Sequence, residues 1–257
     1  MADQGVKEIM VMAQDTTRYG LDLYGELRLP QLIRQLARIE GIEWIRLMYC
    51  YPERFTDELI ETMRQEPKVC KYIDLPLQHA NNRILKDMNR RGTIEQAEEL
   101  IRKLRLAMPE ITLRTTMITG FPGETELEFQ SMIEFIQRVQ FDRLGAFAYS
   151  QEEQTPAGER EDQIPLEVRE QRRERIMQLQ QDISKQRQQR WIDRIVRVIL
   201  EQELPDGRWI GRTEGDAPEI DGQVYVKGTF SALQAGNFAK VRILEADIYD
   251  LIGEVVS

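Results

Sequence analysis

The sequence predicts an α/β domain built on a mostly parallel sheet, followed by a small all-β barrel. Three observations carry this expectation. Up to about Ser150, short apolar runs alternate with amphipathic helical segments, the pattern of βα units whose helices cover a parallel sheet. From Leu166 to about Arg194 the chain is highly charged and rich in Gln, with Ile176, Leu179 and Ile183 as its apolar stripe. Beyond Ile195, short β-prone runs are separated by Pro205-Asp206-Gly207, Asp221-Gly222 and Gln234-Ala235-Gly236-Asn237. Turn sequences at that density suit a small antiparallel barrel.

In the first part, strands are expected at Val6–Gln14, Ile42–Tyr49, Tyr72–Gln78, Ile111–Gly120 and Arg143–Ser150. Helices are expected near Gln31–Ile39, Thr56–Gln65, Asn82–Asn89, Ile94–Met108 and Glu126–Val139. The helix signal is firm where Ala97, Leu100, Ile101, Leu104 and Met108 share one face, and again for Phe129, Met132, Ile133 and Ile136. Five strands are too few for a complete eight-unit barrel. The charged stretch reads as one long surface helix joining the two parts. Strands at Ile195–Glu201, Trp209–Thr213, Gln223–Thr229, Phe238–Ala246 and Leu251–Val256 complete the chain. The expected division is residues 1–164, a linking helix over 165–194, and a β-barrel over 195–257.

Composition narrows the function classes. The 257 residues are 41% hydrophobic and 31% charged, ordinary for a soluble globular protein. No apolar run approaches the roughly 20 residues of a membrane span, and Met1–Gly5 has no basic-then-apolar signal pattern. Cytoplasmic residence without a membrane partner is the expectation. A net charge of −9 argues against a broad grip on nucleic acid, though it leaves room for a local basic patch. No Ser/His/Asp, HExxH or GxxxxGK[ST] pattern points to hydrolase, protease or P-loop chemistry. Cys50 and Cys70 are the only cysteines and are too far apart for a metal knuckle. No catalytic residue and no metal ligand is nominated.

The most informative stretch is Thr115–Thr125, an apolar strand running through Gly120-Phe121-Pro122-Gly123 into a helix that opens with Glu124 and Thr125. Two glycines allow a sharp turn and a close approach of ligand to main chain. A tight turn with no ligand would need the same residues. On the strand Ile111–Gly120, Leu113 and Met117 are expected toward the helices, which turns Arg114, Thr116 and Ile118 inward; on Tyr72–Gln78, Ile73, Leu75 and Leu77 turn Tyr72, Asp74 and Gln78 the same way. Inward charges require partners: Asp74 and Arg114 pair with each other or with neighbours, or they line a polar cavity at the strand ends, where α/β ligands bind. Polar residues gather at four such ends: Gln14-Asp15-Thr16-Thr17, Gln78-His79, Gly120–Glu124 and Tyr149-Ser150-Gln151. His79, the only histidine, is either an acid/base or ligand donor, or a polar loop residue.

These segments resemble a known family. Ala13–Gly20 (AQDTTRYG), Tyr72–His79 (YIDLPLQH), Arg114–Thr125 (RTTMITGFPGET) and Phe147–Ala157 (FAYSQEEQTPA) are similar to the radical S-adenosylmethionine methylthiotransferases. The C-terminal part, with Gly211–Glu219 (GRTEGDAPE), resembles their TRAM domain. The resemblance covers essentially the whole chain. It implies an incomplete (β/α)6 radical-SAM open barrel with five parallel strands, then a small TRAM barrel. It also implies S-adenosylmethionine as cofactor, bound along the Gly120–Glu124 turn including Phe121, with Gln14, Asp15, Gln78, His79, Arg114, Thr116, Tyr149 and Ser150 lining the same cavity.

The family has two branches, one acting on a tRNA adenosine and one on an aspartate of ribosomal protein uS12. Gln14–Gly20 and Glu152-Glu153 resemble the protein-modifying branch. Charge agrees: from Ile195 onward six basic residues face eleven acidic ones, which suits a basic ribosomal protein better than tRNA. The family's CxxxCxxC loop is not present, so two 4Fe-4S clusters are expected in the full-length parent and none in this chain. In the family a radical made from S-adenosylmethionine takes hydrogen from the aspartate β-carbon before a methylthio group is delivered. A fragment lacking the cluster loop is expected to be inactive alone. The alternatives are the tRNA branch, or a binding module docking RNA or ribosomal protein.

Overall fold

The computed structural model describes residues 2–228 and 234–256; the expected strand end at Thr229 lies outside the described residues. Five strands form one sheet in sequential order: β1 (Glu8–Val11), β2 (Trp44–Leu47), β3 (Val69–Gln78), β4 (Thr112–Thr119) and β5 (Arg143–Ala148). Every neighbouring pair is parallel, as βα connections require. β1 pairs with β2 alone and so forms one edge of the sheet. Helices α1 (Leu21–Tyr24), α2 (Leu29–Ala37), α3 (Asp57–Gln65), α4 (Asn82–Asp87), α5 (Ile94–Ala107) and α6 (Glu126–Val139) fill the connections. The four-residue α1 has no apolar periodicity to announce it, and no sequence signal marked it. β3 starts three residues earlier than expected, so Cys70 lies within the strand and not before it.

The core lies between the sheet and its helices. Ile45, Leu47, Ile73, Leu75, Leu113 and Met117 point into it, against Ile33, Leu59, Leu104, Phe129 and Ile136, all at most 2% exposed. The alternation expected on β3 and β4 is therefore observed. The opposite face of the sheet, concave in the half-barrel, carries Tyr72, Asp74, Arg114, Thr116 and Ile118. Registers Asp74↔Arg114, Thr116↔Gly145 and Ile118↔Phe147 align those residues across strands.

Helix α7 (Leu166–Gln188) corrects one expectation. It is not a solvated linker: Ile176 and Ile183 are in the core, and Arg169, Arg172, Gln180, Ser184 and Gln188 are also buried. A polar helix face is tolerated in the interior where most of its groups find partners, although Gln180 Oε1 and Arg172 Nε have none. Gln180 donates to the Phe141 carbonyl at 2.9 Å, and Arg172 reaches Glu124 at 2.6 Å.

The C-terminal part closes into a five-stranded barrel of β6 (Ile195–Glu203), β7 (Trp209–Thr213), β8 (Val224–Lys227), β9 (Phe238–Ala246) and β10 (Leu251–Val255). Val198, Leu200, Val224, Val241 and Ile243 fill it. It seats against the concave face of the sheet near the strands' N-terminal ends, where Trp44, Tyr72, Ile199 and Ala217 form a joint apolar cluster. Trp44 packs edge-on against Phe238 at 4.8 Å.

Candidate functional site at the strand ends

The turn after β4 is built first by its own backbone. Gly120 (φ +71°) and Gly123 (φ +74°) both adopt the left-handed region, which side chains disfavour. Each is also closely covered. A Cβ on Gly120 would lie 2.8 Å from Arg169 Cβ, and one on Gly123 would lie 2.7 Å from Arg160 Nη2. Packing of α7 against the turn thus requires Gly120, whereas Gly123 meets only the movable ends of the Asp162 and Arg160 side chains and is favoured by its positive φ.

Glu124 pins the turn from beneath. Its side chain is fully buried, and its Oε2 accepts from the Gly120 N–H at 3.0 Å. His79 Nε2 lies 3.1 Å from the same oxygen, while Oε1 takes Arg172 at 2.6 Å. The Asn81 N–H donates to His79 Nδ1 at 3.0 Å, which leaves the ring proton on Nε2 to be donated to Glu124. His79 is 0% exposed. The pair that the sequence offered as ligand contacts is therefore an internal cross-link joining β3, β4 and α7. Phe121 is likewise buried, edge-on to Tyr149 at 5.3 Å, and the Tyr149 carbonyl accepts from Arg169 at 2.9 Å.

Asp15 is also engaged. It accepts from Thr17 Oγ1 and from Arg54 Nη1, both at 2.5 Å, tying the loop after β1 to the loop after β2. Arg114 lies early in β4, away from the turn, with Asp74 at 2.8 Å and the barrel residue Asp221 at 3.5 Å. Burial opposes the guanidinium charge of Arg114, but Tyr72, Asp74 and Asp221 more than offset this and hold its pKa above the ordinary value. Of the two readings open for Asp74 and Arg114, their mutual pairing is what the coordinates display.

Other nominated residues stay open. Among the described residues, the side-chain amides of Gln14 and Gln78 and the hydroxyl of Thr116 make no hydrogen bond, and Ser150 bonds only Glu152, at 3.0 Å. Gln78 holds a positive φ of 74° at the end of β3. Phe147 is 60% exposed beside Ile118 on the concave face, and Met12 is 55% exposed. A cleft of about 650 Å³ opens at the end of β1, lined by Met12, Gln14, Asp15, Arg18, Tyr19 and Tyr51 among others. Apolar surface with a few unpaired amides and hydroxyls fits a nucleoside-like ligand. An iron–sulfur cluster is not matched in the same way. Cys50 and Cys70 are both fully buried, and burial pushes the Cys70 thiol up to about 12, the opposite of what a thiolate ligand needs. Among the described residues, no three His, Cys, Asp or Glu side chains are grouped to hold a metal ion.

Sequence reasoning missed Arg169, Arg172 and Asp221. A signal for the first two existed. The stripe at Ile176 and Ile183 continues backward at three- and four-residue spacing to Arg172 and Arg169, so both arginines had to face the core.

Fold and site together define a parallel βα half-barrel with an open cleft at the end of β1 and a β-barrel docked at the opposite end. Residues 1–136 match the radical SAM superfamily and residues 192–256 match the TRAM domain. The chain belongs to the radical SAM superfamily. It is 64% identical over 256 residues to the ribosomal protein uS12 methylthiotransferase RimO of Desulfitobacterium hafniense (strain Y51), covering 100% of this chain and 57% of that protein. It is 51% identical to the protein of that name from Heliobacterium modesticaldum (strain ATCC 51547 / Ice1), covering 100% of this chain and 55% of that one. The chain thus spans a little over half the length of these curated relatives. Among the described residues, no helix is long and apolar enough to cross a membrane.

Proposed function

We propose that the chain is the part of a methylthiotransferase that binds S-adenosylmethionine and receives ribosomal protein uS12, with an aspartate β-carbon as the site modified. The observation that carries this reading is the identity to uS12 methylthiotransferases, which runs unbroken through half-barrel and TRAM barrel alike. S-adenosylmethionine, when bound, supplies the radical chemistry. The chain's own groups would bind and orient it: Gln14, Gln78 and Thr116 offer unpaired polar groups on β1, β3 and β4 or at their ends, and Phe147 on β5 offers an exposed ring. Glu124, His79 and Gly120 hold the wall behind them in shape. The chain's two buried cysteines do not fit cluster ligation, and under this reading the 257 residues alone are expected to be inactive.

Two measurements test the reading. Iron–sulfur reconstitution of the 257-residue chain with S-adenosylmethionine and uS12 is expected to give no methylthiolated product; product formation overturns the claim of inactivity. Calorimetric titration is expected to detect uS12 binding in preference to free tRNA. Tight tRNA binding without uS12 binding would transfer the chain to the tRNA-modifying branch.

A further inference from the structure

Beside the groove, and sharing Arg18 and Tyr51 with it, lies a second cleft of about 420 Å³. Arg18 from the loop after β1, Arg54 and Glu53 after β2, and Arg90 and Arg91 after α4 line it together with Tyr51. Four guanidiniums face one lining carboxylate. Arg54 is engaged by Asp15 at 2.5 Å, but among the described residues Arg18, Arg90 and Arg91 form no ion pair. Most other arginines of this chain are bound to carboxylates, as Arg83 is to Glu128 and Arg212 to Glu8; among the described residues Arg38, Arg105, Arg169 and Arg242 also form no ion pair, but they lie on separate elements, whereas Arg18, Arg90 and Arg91 line one cleft. Arg90 lies over the Tyr51 ring at 4.7 Å.

We infer that this cleft binds the phosphodiester backbone of RNA. Guanidinium forks match phosphate oxygens in two-pronged contacts. A tyrosine with a cation stacked on it is the pairing that takes a base and its phosphate together, which an acidic peptide would not use. The chain as a whole, at net charge −9, repels a polyanion outside this cleft. The cleft opens at the same end of the sheet as the ligand groove, so RNA held there runs alongside whatever enters the groove. Resting on the proposed function, that RNA is ribosomal, and the substrate is uS12 in its RNA-bound form more than the free protein. A free basic protein would gain nothing from an arginine cluster beside the groove.

The test is fluorescence anisotropy of the full 257-residue chain with a short labelled single-stranded RNA of mixed sequence, over a range of salt. Saturable binding is expected, weakened about tenfold or more in R90Q/R91Q. The slope of log affinity on log salt should fall by about 1.4 for two lost phosphate contacts. K240Q/R242Q, on the outer face of the β-barrel, should bind as the parent does. Where R90Q/R91Q lowers the unfolding midpoint, R18Q from a separate loop carries the same test. Parent-like binding by the arginine variants, or equal competition by poly-glutamate, overturns the inference. The assay needs neither cluster nor cofactor. Failure to bind uS12 both free and together with the RNA, with RNA binding intact, would count against the proposed function alone.

Discussion

At the residue scale, Gly120 separates two reasons for a glycine in a ligand-side turn. A methyl group there must adopt φ +71° and meet Arg169 Cβ at 2.8 Å and its Cα at 3.1 Å. The left-handed conformation costs about 1–2 kcal/mol and overpacking about 1–3 kcal/mol. Gly120→Ala is therefore expected to lower the unfolding free energy in urea by roughly 2–5 kcal/mol. Gly25, at φ +75° with nothing within 4 Å of a Cβ, gives the control: Gly25→Ala should lose only the conformational part, about 1–2 kcal/mol. Equal losses at both positions would refute the packing role of α7 over the turn.

At the element scale, α6 begins directly after that turn, and its first residues fix where the turn ends. Thr125 caps the helix, with Glu128 reaching back in a reciprocal capping box. Arg83 from α4 grips Glu128 at 2.5 Å and lies 2.7 Å from the Gly123 carbonyl. The Arg83 guanidinium, helped by the Thr125 N–H and hydroxyl, draws the Glu128 pKa from 4.5 down to about 2. A depressed carboxylate contributes stability above its unfolded value and loses it as pH falls through the folded one. Parent stability, read by urea unfolding at stepped pH, should thus decline between about 4.5 and about 2 more steeply than that of Glu128→Gln, which keeps the capping oxygen and drops the charge. Parallel acid limbs for the two proteins would remove Arg83 from this role. The strand alternation was legible on β4 because only one of its faces meets helices, whereas the capping box of Thr125 and Glu128 emerged only in the fold. What stayed illegible were contacts between groups far apart in the chain. Glu124 looked like a ligand contact until Arg172, 48 positions on, was seen to occupy it. Arg114 lines a cleft as its inward position suggested, but that cleft is shared with Asp221 from the other barrel, a partner the local sequence did not name. A residue's polarity can be read locally; which partner neutralises it is decided by the tertiary fold.

At the scale of the whole molecule, the acidic surplus of the TRAM barrel takes on a second meaning. Glu214 accepts from the Lys71 N–H at 2.9 Å, Asp216 from Arg143 at 2.6 Å, and Asp221 from the Tyr72 hydroxyl at 2.7 Å. Part of that surplus is thus turned inward onto the half-barrel. Arg46, fully buried, answers in the other direction, bonding Glu8 at 2.7 Å and the Glu214 carbonyl at 2.8 Å. Groups this deeply enclosed cannot be separated without leaving charges uncompensated in a poorly solvating site, so the two barrels should unfold as one body. Far-UV dichroism, weighted toward the helices of the half-barrel, and fluorescence of Trp44, Trp191 and Trp209 are expected to report a single coincident transition. Arg143→Met leaves Asp216 enclosed without its cation, and should lower stability by about 3–5 kcal/mol while shifting both signals together. Adding Asp216→Asn to that variant should recover much of the loss, since the stranded charge is then gone. Two separated transitions in the parent, or an Arg143→Met loss confined to one signal, would mean that the TRAM barrel hangs from α7 as an independent module.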